Sequence, residues 1–188
     1  MKIGKRLLEF YINSSIHVAL AVVSLCLLTF LHFEIPIDTV LLFFVFFGSI
    51  TGYNFVKYAG IAKLHHRSLA KGLRWIQIFS FFSFLGFVFT AFEVELKVLI
   101  WTGVFGLFTL LYALPVFNKN KNLRSISGVK IFIIAFVWAG VTVVLPVSLG
   151  GGVQMANVAL EFVQRFLLVL AWILPFEIRD LRYDLQQL

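Results

Sequence analysis

Residues 75–86 read Trp75-Ile-Gln-Ile-Phe-Ser-Phe-Phe-Ser-Phe-Leu-Gly86, and they decide the fold. A helix formed by this stretch is apolar almost all the way round, so it has no polar face to turn towards water. The surrounding residues 75–92 nearly match the ~20 helical residues that cross the ~30 Å hydrocarbon core of a bilayer. The stretch therefore predicts a transmembrane helix.

Five further stretches have the same apolar character and a comparable length. The six predicted spans are residues 10–31, 39–56, 75–92, 98–117, 129–149 and 158–176. They are expected to be helices, because lipid-facing strands without barrel-like alternation cannot satisfy their backbone hydrogen bonds. The predicted fold class is all-α: a polytopic transmembrane bundle of about six helices, forming a single domain over residues 1–188.

The composition excludes a soluble domain. Apolar residues make up 61% of the chain and charged residues 13%, whereas soluble domains carry roughly 25% charged residues. The 23 Phe residues alone would leave large apolar patches on the surface of a soluble protein of this size. The single cysteine, Cys26, excludes a disulfide or a cysteine-based metal framework.

The positive charge, +7 overall, is distributed in a way that predicts topology. Fourteen of the 16 basic residues lie at one predicted side of the membrane: before the first span, between the second and third, between the fourth and the start of the fifth, or after the sixth. By the positive-inside rule, both termini are then cytoplasmic. We expect an integral protein of a bacterial inner membrane. Basic residues at membrane edges, without a soluble domain, do not indicate nucleic-acid binding.

The N-terminal residues 1–6 are basic, as in a signal peptide, but the apolar stretch behind them is long and has no small-residue cleavage site. We therefore interpret residues 10–31 as a retained span. Within the sixth span, Glu161 and Arg165 are spaced i and i+4 and can pair on one helical face. Glycines such as Gly48, Gly86 and Gly140 are expected to let helices approach closely.

Three carboxylates follow the sixth span. Glu177, Asp180 and Asp184 are spaced i, i+3 and i+7, which places them on one face of a helix. Carboxylate oxygens suit Mg²⁺, which completes its coordination with water and substrate phosphate oxygens. The alternative is a solvated helix end that Arg179 and Arg182 neutralise.

The segment Arg179-Asp-Leu-Arg-Tyr-Asp184 resembles the second aspartate motif (D-x-x-x-D) of the UbiA superfamily of intramembrane prenyltransferases. Asn54, near the end of the second span, stands in the asparagine position of that family's first motif (N-D-x-x-D). The segment Tyr112-Ala-Leu-Pro115, with Arg124 and Lys130 after it, is similar to the family's fourth helix and basic loop. The similar helices and loops cover the chain in order.

The resemblance implies a helical bundle with a cytoplasm-facing cavity that binds a polyprenyl diphosphate among membrane lipids. It implies a Mg²⁺-dependent transfer of the prenyl group to an acceptor, in which metal and basic residues stabilise the leaving diphosphate. With the spacing of the carboxylates, the resemblance implies that Glu177, Asp180 and Asp184 hold Mg²⁺, with Asp180 and Asp184 catalytic. Asn54, Lys57, Arg124 and Lys130 are expected to contact the substrate, and the alternative for Lys57 is an anchor to anionic lipid headgroups.

The chain departs from the family pattern in its first motif. Phe55 and Tyr58 occupy the two aspartate positions, and no acidic residue lies between Asp38 and Glu93. The first metal site is therefore predicted to be absent. The family fold has about nine helices, so three more are expected after residue 188 unless this is a reduced form. The alternative function is a non-catalytic structural or lipid-binding subunit of a membrane complex.

Overall fold

In the computed structural model, the described backbone covers residues 2–58, 70–114 and 128–186, and the described side chains cover 4–58, 74–114 and 128–179. All regular structure within those ranges is helical. The elements are α1 (Lys2–Asn13), α2 (Ile16–His32), α3 (Thr39–Tyr58), α4 (Ala70–Ala91), α5 (Leu96–Ala113), α6 (Val129–Ala139), a π-helix (Gly140–Val144), α7 (Leu145–Leu149) and α8 (Met155–Gln186). They form two compact units, Met1–Leu99 and Ile100–Leu188, each described below by itself.

The membrane spans confirm the predicted fold class. Five helical segments of the described chain are long and apolar enough to cross a membrane, and α1 with α2 would make a sixth. The five are Thr39–Tyr58, Arg74–Ala91, Leu96–Ala113, Val129–Leu149 and Met155–Arg179. The protein is thus an integral membrane protein with an all-helical transmembrane domain. The predicted end of the fourth span, residue 117, lies outside the described residues, and α5 ends at Ala113.

The first predicted span, residues 10–31, is not one helix. α1 and α2 meet at a 60° bend, with Ser14 and Ser15 between them. Ser15 has a φ of 64°, a left-handed conformation that a non-glycine residue rarely adopts and that an α-helix cannot contain. α2 alone, with 17 residues, extends about 26 Å at 1.5 Å per residue, close to the hydrocarbon thickness.

In the first unit, α3 and α4 interlock through two glycines. A Cβ on Gly48 would lie 2.9 Å from the ring of Phe87, and a Cβ on Gly86 would lie 2.9 Å from the ring of Phe47. Each glycine thus makes room for an aromatic side chain of the other helix. This reciprocal arrangement confirms that Gly48 and Gly86 let the two helices approach closely.

In the second unit, an aromatic cluster joins α5, α6 and α8. Phe136 of α6 makes edge-to-face contacts with Phe105, Phe108 and Phe162, at ring-centroid distances of 5.7, 5.0 and 5.7 Å. Gly140, the first residue of the π-helix, lies directly under Phe105, and a Cβ there would overlap the ring. The predicted packing role of Gly140 is therefore also confirmed.

The π-helix interrupts the span formed by α6 and α7. Pro146, within α7, has no backbone N–H, so it cannot donate the hydrogen bond that a regular α-helix would direct to the carbonyl of Thr142. The π turn lies directly before this position, so two features that interrupt the regular helical bonding pattern are adjacent.

Candidate functional site

Asn54, expected to contact the substrate, lies at the centre of a hydrogen-bond network within the first unit. Its amide nitrogen donates to the carbonyl of Ser14, at 3.1 Å, and to the hydroxyl of Ser80, at 2.7 Å. Its amide oxygen accepts from the hydroxyl of Ser15, at 2.8 Å. The side chain is buried, and both amide hydrogens are already donated within the protein. Asn54 therefore joins α3 to α4 and to the break between α1 and α2.

Lys57 and Tyr58, at the end of α3, both bind the C-terminal end of α1. The Lys57 ammonium donates to the carbonyl of Asn13 at 3.2 Å, and the Tyr58 hydroxyl donates to the same oxygen at 2.9 Å. The last carbonyls of a helix lack intrahelical partners and carry partial negative charge, so a cation is stabilising there. Lys57 is exposed and, with three ammonium donors, retains the capacity to bind an anion.

We call these contacts the joint: Asn13, Ser14 and Ser15 at the break, held by Asn54, Lys57 and Tyr58. Ser80 binds the amide of Asn54 from α4. Sequence reasoning missed it, because hydropathy alone counted residues 10–31 as one span. A usable signal was present in Asn13-Ser14-Ser15, three consecutive small polar residues within an apolar stretch, which favour helix ends over helix interiors.

In the second unit, Lys130, expected to contact the substrate, lies against Glu177, expected to bind Mg²⁺. The ammonium of Lys130, at the start of α6, lies 2.7 Å from a carboxylate oxygen of Glu177, near the end of α8. The Glu177 side chain is only 9% exposed and that of Lys130 27%. A largely buried carboxylate needs such a partner, because desolvation would otherwise be costly. Lys130 and Glu177 therefore join the N-terminal end of α6 to α8.

The other two carboxylates lie on the same helix. α8 continues without a break to Gln186, so positions 177, 180 and 184 lie along one helical face, as the spacing predicted. The side chains of Asp180 and Asp184, and the whole of Arg124, lie outside the described residues. Among the side chains that are described, no three His, Cys, Asp or Glu residues cluster as metal ligands would.

Glu161 and Arg165 form the ion pair that their spacing predicted. The guanidinium of Arg165 lies 2.6 Å from a carboxylate oxygen of Glu161, and the two side chains are 2% and 12% exposed. Both residues lie within the α8 segment that is apolar enough to span the membrane. A buried charge pair at such a position is held by mutual attraction rather than by water.

The candidate residues fall into two groups. Asn54 and Lys57 belong to the first unit, whereas Lys130, Glu177 and the positions of Asp180 and Asp184 belong to the second. Their expected convergence on one cavity stays a prediction. Comparison with protein-family models, with curated proteins and with solved structures gives no match.

Proposed function

We propose that this protein is a prenyltransferase-like membrane protein of the UbiA type, which transfers a prenyl group from a polyprenyl diphosphate to an acceptor. The observation that supports the proposal most is the continuity of α8. Its backbone stays helical to Gln186, so positions 177, 180 and 184 lie along one face of its C-terminal part. A cation, Lys130, lies against the first of these carboxylates.

The donor set fits Mg²⁺ in its chemistry, since it consists of carboxylates and leaves coordination positions for phosphate oxygens. Glu177, Asp180 and Asp184 would hold the ion, which supplies positive charge beside the diphosphate as it leaves. One carboxylate oxygen of Glu177 lies 2.7 Å from the Lys130 ammonium, so Glu177 would bind Mg²⁺ through the oxygen that Lys130 leaves available. Lys130 thereby fixes the orientation of that carboxylate and adds its own positive charge close to the diphosphate.

The proposal predicts that Mg²⁺ and diphosphate strengthen each other's binding. With few protein ligands, Mg²⁺ needs phosphate oxygens to complete its octahedral shell. By linkage, each ligand must then tighten the other by the same factor, for which about tenfold is typical. Calorimetry of the purified full chain with a short prenyl diphosphate, with and without Mg²⁺, measures this factor.

Asp180→Asn and Asp184→Asn should each abolish the coupling without unfolding the protein. The matched control is Glu93→Gln, which removes one exposed carboxylate from the turn between α4 and α5 and should leave the coupling unchanged. Equal diphosphate affinity with and without Mg²⁺ in the parent protein would contradict the proposal.

A second candidate is a non-catalytic structural or lipid-binding subunit of a membrane complex. The contacts of Asn54 favour it, because both amide hydrogens are used within the protein. The pairing of Lys130 with Glu177 favours it as well, since each of these side chains already has a partner. Such a subunit would bind an isoprenoid lipid without Mg²⁺ coupling and without forming a prenylated product, so the same calorimetry separates the two functions.

The proposed cytoplasmic site requires both termini in the cytoplasm of a bacterial cell. Reporter fusions at residue 188 and within residues 150–154, between α7 and α8, should therefore report opposite sides of the inner membrane. A reporter fused in loop 34–38 serves as the matched control and should agree with the one in loop 150–154. If the fusions at 188 and in loop 150–154 report the same side, the six-span topology is wrong.

A further inference from the structure

α1 is amphipathic along its whole described length. One helical face carries the polar residues, which follow Lys5 by one, four and eight positions: Arg6, Glu9 and Asn13. The remaining surface is apolar and is formed by Leu7, Leu8, Phe10, Tyr11 and Ile12. A short helix with a basic polar face and a bulky apolar face is typical of segments that lie in a membrane interface.

Most of the apolar face of α1 has no packing partner among the described residues of the first unit. Leu7 is 65% exposed, Leu8 57% and Ile12 46%. One side chain on this face packs inwards: the ring of Phe10 meets that of Phe79 in α4 edge to face, with centroids 5.5 Å apart. Packing against α4 thus covers one edge of α1 and leaves a row of aliphatic side chains uncovered.

The joint sets the direction of α1. The 60° bend separates its axis from that of α2, and two side chains of α3 hold the Asn13 carbonyl at the break. Membrane spans tilt by about 20° from the bilayer normal on average. If α2 crosses the bilayer in this way, the axis of α1 makes an angle of about 40–80° with the normal. Over most of this range α1 lies closer to the membrane plane than to the normal, at the depth where α2 enters the hydrocarbon.

We propose that α1 is an interfacial helix that binds anionic phospholipids. Leu7, Leu8 and Ile12 lie among the upper parts of the acyl chains, and Lys5 and Arg6 contact phosphate headgroups. Charge complementarity selects this occupant: the polar face has one described acidic residue, Glu9, against two cations, and the exposed Lys57 adds a third cation at the joint. This lipid site goes beyond the proposed prenyl transfer and does not depend on it.

The test is site-specific lipid quenching on the full chain in vesicles. Leu8→Cys is labelled with a small fluorophore, while the native Cys26, which is fully buried, is shielded from the reagent. Vesicles of phosphatidylcholine then contain either brominated phosphatidylglycerol or brominated phosphatidylcholine as the quencher. We expect brominated phosphatidylglycerol to be enriched over brominated phosphatidylcholine around position 8. The enrichment should be about fivefold for each basic residue near the surface.

Two variants remove the same number of charges from different places. Lys5→Gln with Arg6→Gln should reduce the preference for phosphatidylglycerol by about thirtyfold, or to none, since two such cations are lost. Arg74→Gln with Lys97→Gln removes two exposed cations from other elements of the first unit and should leave the preference unchanged.

A probe at Glu93→Cys, in an exposed turn, gives the reference for full quenching by aqueous iodide.

Three outcomes would overturn the proposal. The first is iodide quenching at position 8 as strong as at position 93, which would place the helix in water. The second is no quenching at position 8 by either lipid or iodide, which would mean that protein covers this face. The third is equal quenching by the two brominated lipids in the parent protein, or an equal loss of preference in both double variants.

Discussion

Replacement of Arg165 by leucine is expected to lower the free energy of unfolding by about 3–5 kcal/mol, the usual cost of removing one partner of a buried ion pair. The guanidinium is 2% exposed and lies 2.6 Å from the carboxylate of Glu161. Without this cation, the Glu161 carboxylate remains within a membrane-spanning segment, where water cannot stabilise its charge.

The measurement is unfolding of the purified protein in mixed micelles by SDS, followed by helical ellipticity. Glu161→Gln combined with Arg165→Leu should return to within about 1 kcal/mol of the parent, because the uncompensated charge is gone. Lys97→Gln is the matched control: it breaks the exposed Lys97–Glu95 pair, at 3.0 Å, and should cost at most about 1 kcal/mol. A single Arg165→Leu variant as stable as this control would show that the pair does not stabilise the fold.

Replacement of Asn54 by leucine, which has a similar size, is expected to lower the free energy of unfolding by about 3 kcal/mol. The change leaves the buried carbonyl of Ser14 and the hydroxyl of Ser15 without the partners they have in the joint. A buried polar group that loses its hydrogen bond costs about 1–3 kcal/mol. The Asn54→Leu substitution also removes the contacts that support Ser15 in its left-handed conformation, so the break between α1 and α2 is weakened.

The same SDS titration measures this effect. Asn157→Leu is the matched control, because Asn157 is exposed near the start of α8, and surface changes usually stay within about 0.5 kcal/mol. Asn54→Leu can also be titrated with prenyl diphosphate. Unchanged stability with lost diphosphate binding would show that Asn54 acts on the substrate rather than on the joint.

The membrane spans could be predicted from the sequence because hydrocarbon imposes one strong requirement, a run of about 20 apolar residues. The span predicted at residues 129–149 coincides with the Val129–Leu149 segment, and the other four lie within a few residues of the observed bounds. Hydropathy does not distinguish a straight helix from a bent one, however. It therefore missed the break at Ser14 and Ser15, which depends on hydrogen bonds to Asn54, about forty residues away.

The candidate site was less predictable, because pairing between distant side chains leaves no local pattern. Lys130 and Glu177 were assigned separately to the diphosphate and to the metal, yet they contact each other. Only the packing of α6 against α8 brings them together. The Glu161–Arg165 pair, in contrast, was predictable, because one helical turn fixes the distance between residues i and i+4.

The length of α8 links its C-terminal carboxylates to the thickness of the bilayer. Its 32 residues extend about 48 Å, which exceeds a hydrocarbon core of ~30 Å by several turns. A helix longer than the membrane responds to a thicker bilayer by standing more upright, and to a thinner one by tilting. Because positions 177, 180 and 184 lie on the same continuous helix as the span, their depth relative to the headgroups changes with lipid chain length. Hydrophobic mismatch thus sets the depth at which these carboxylates lie in the membrane interface.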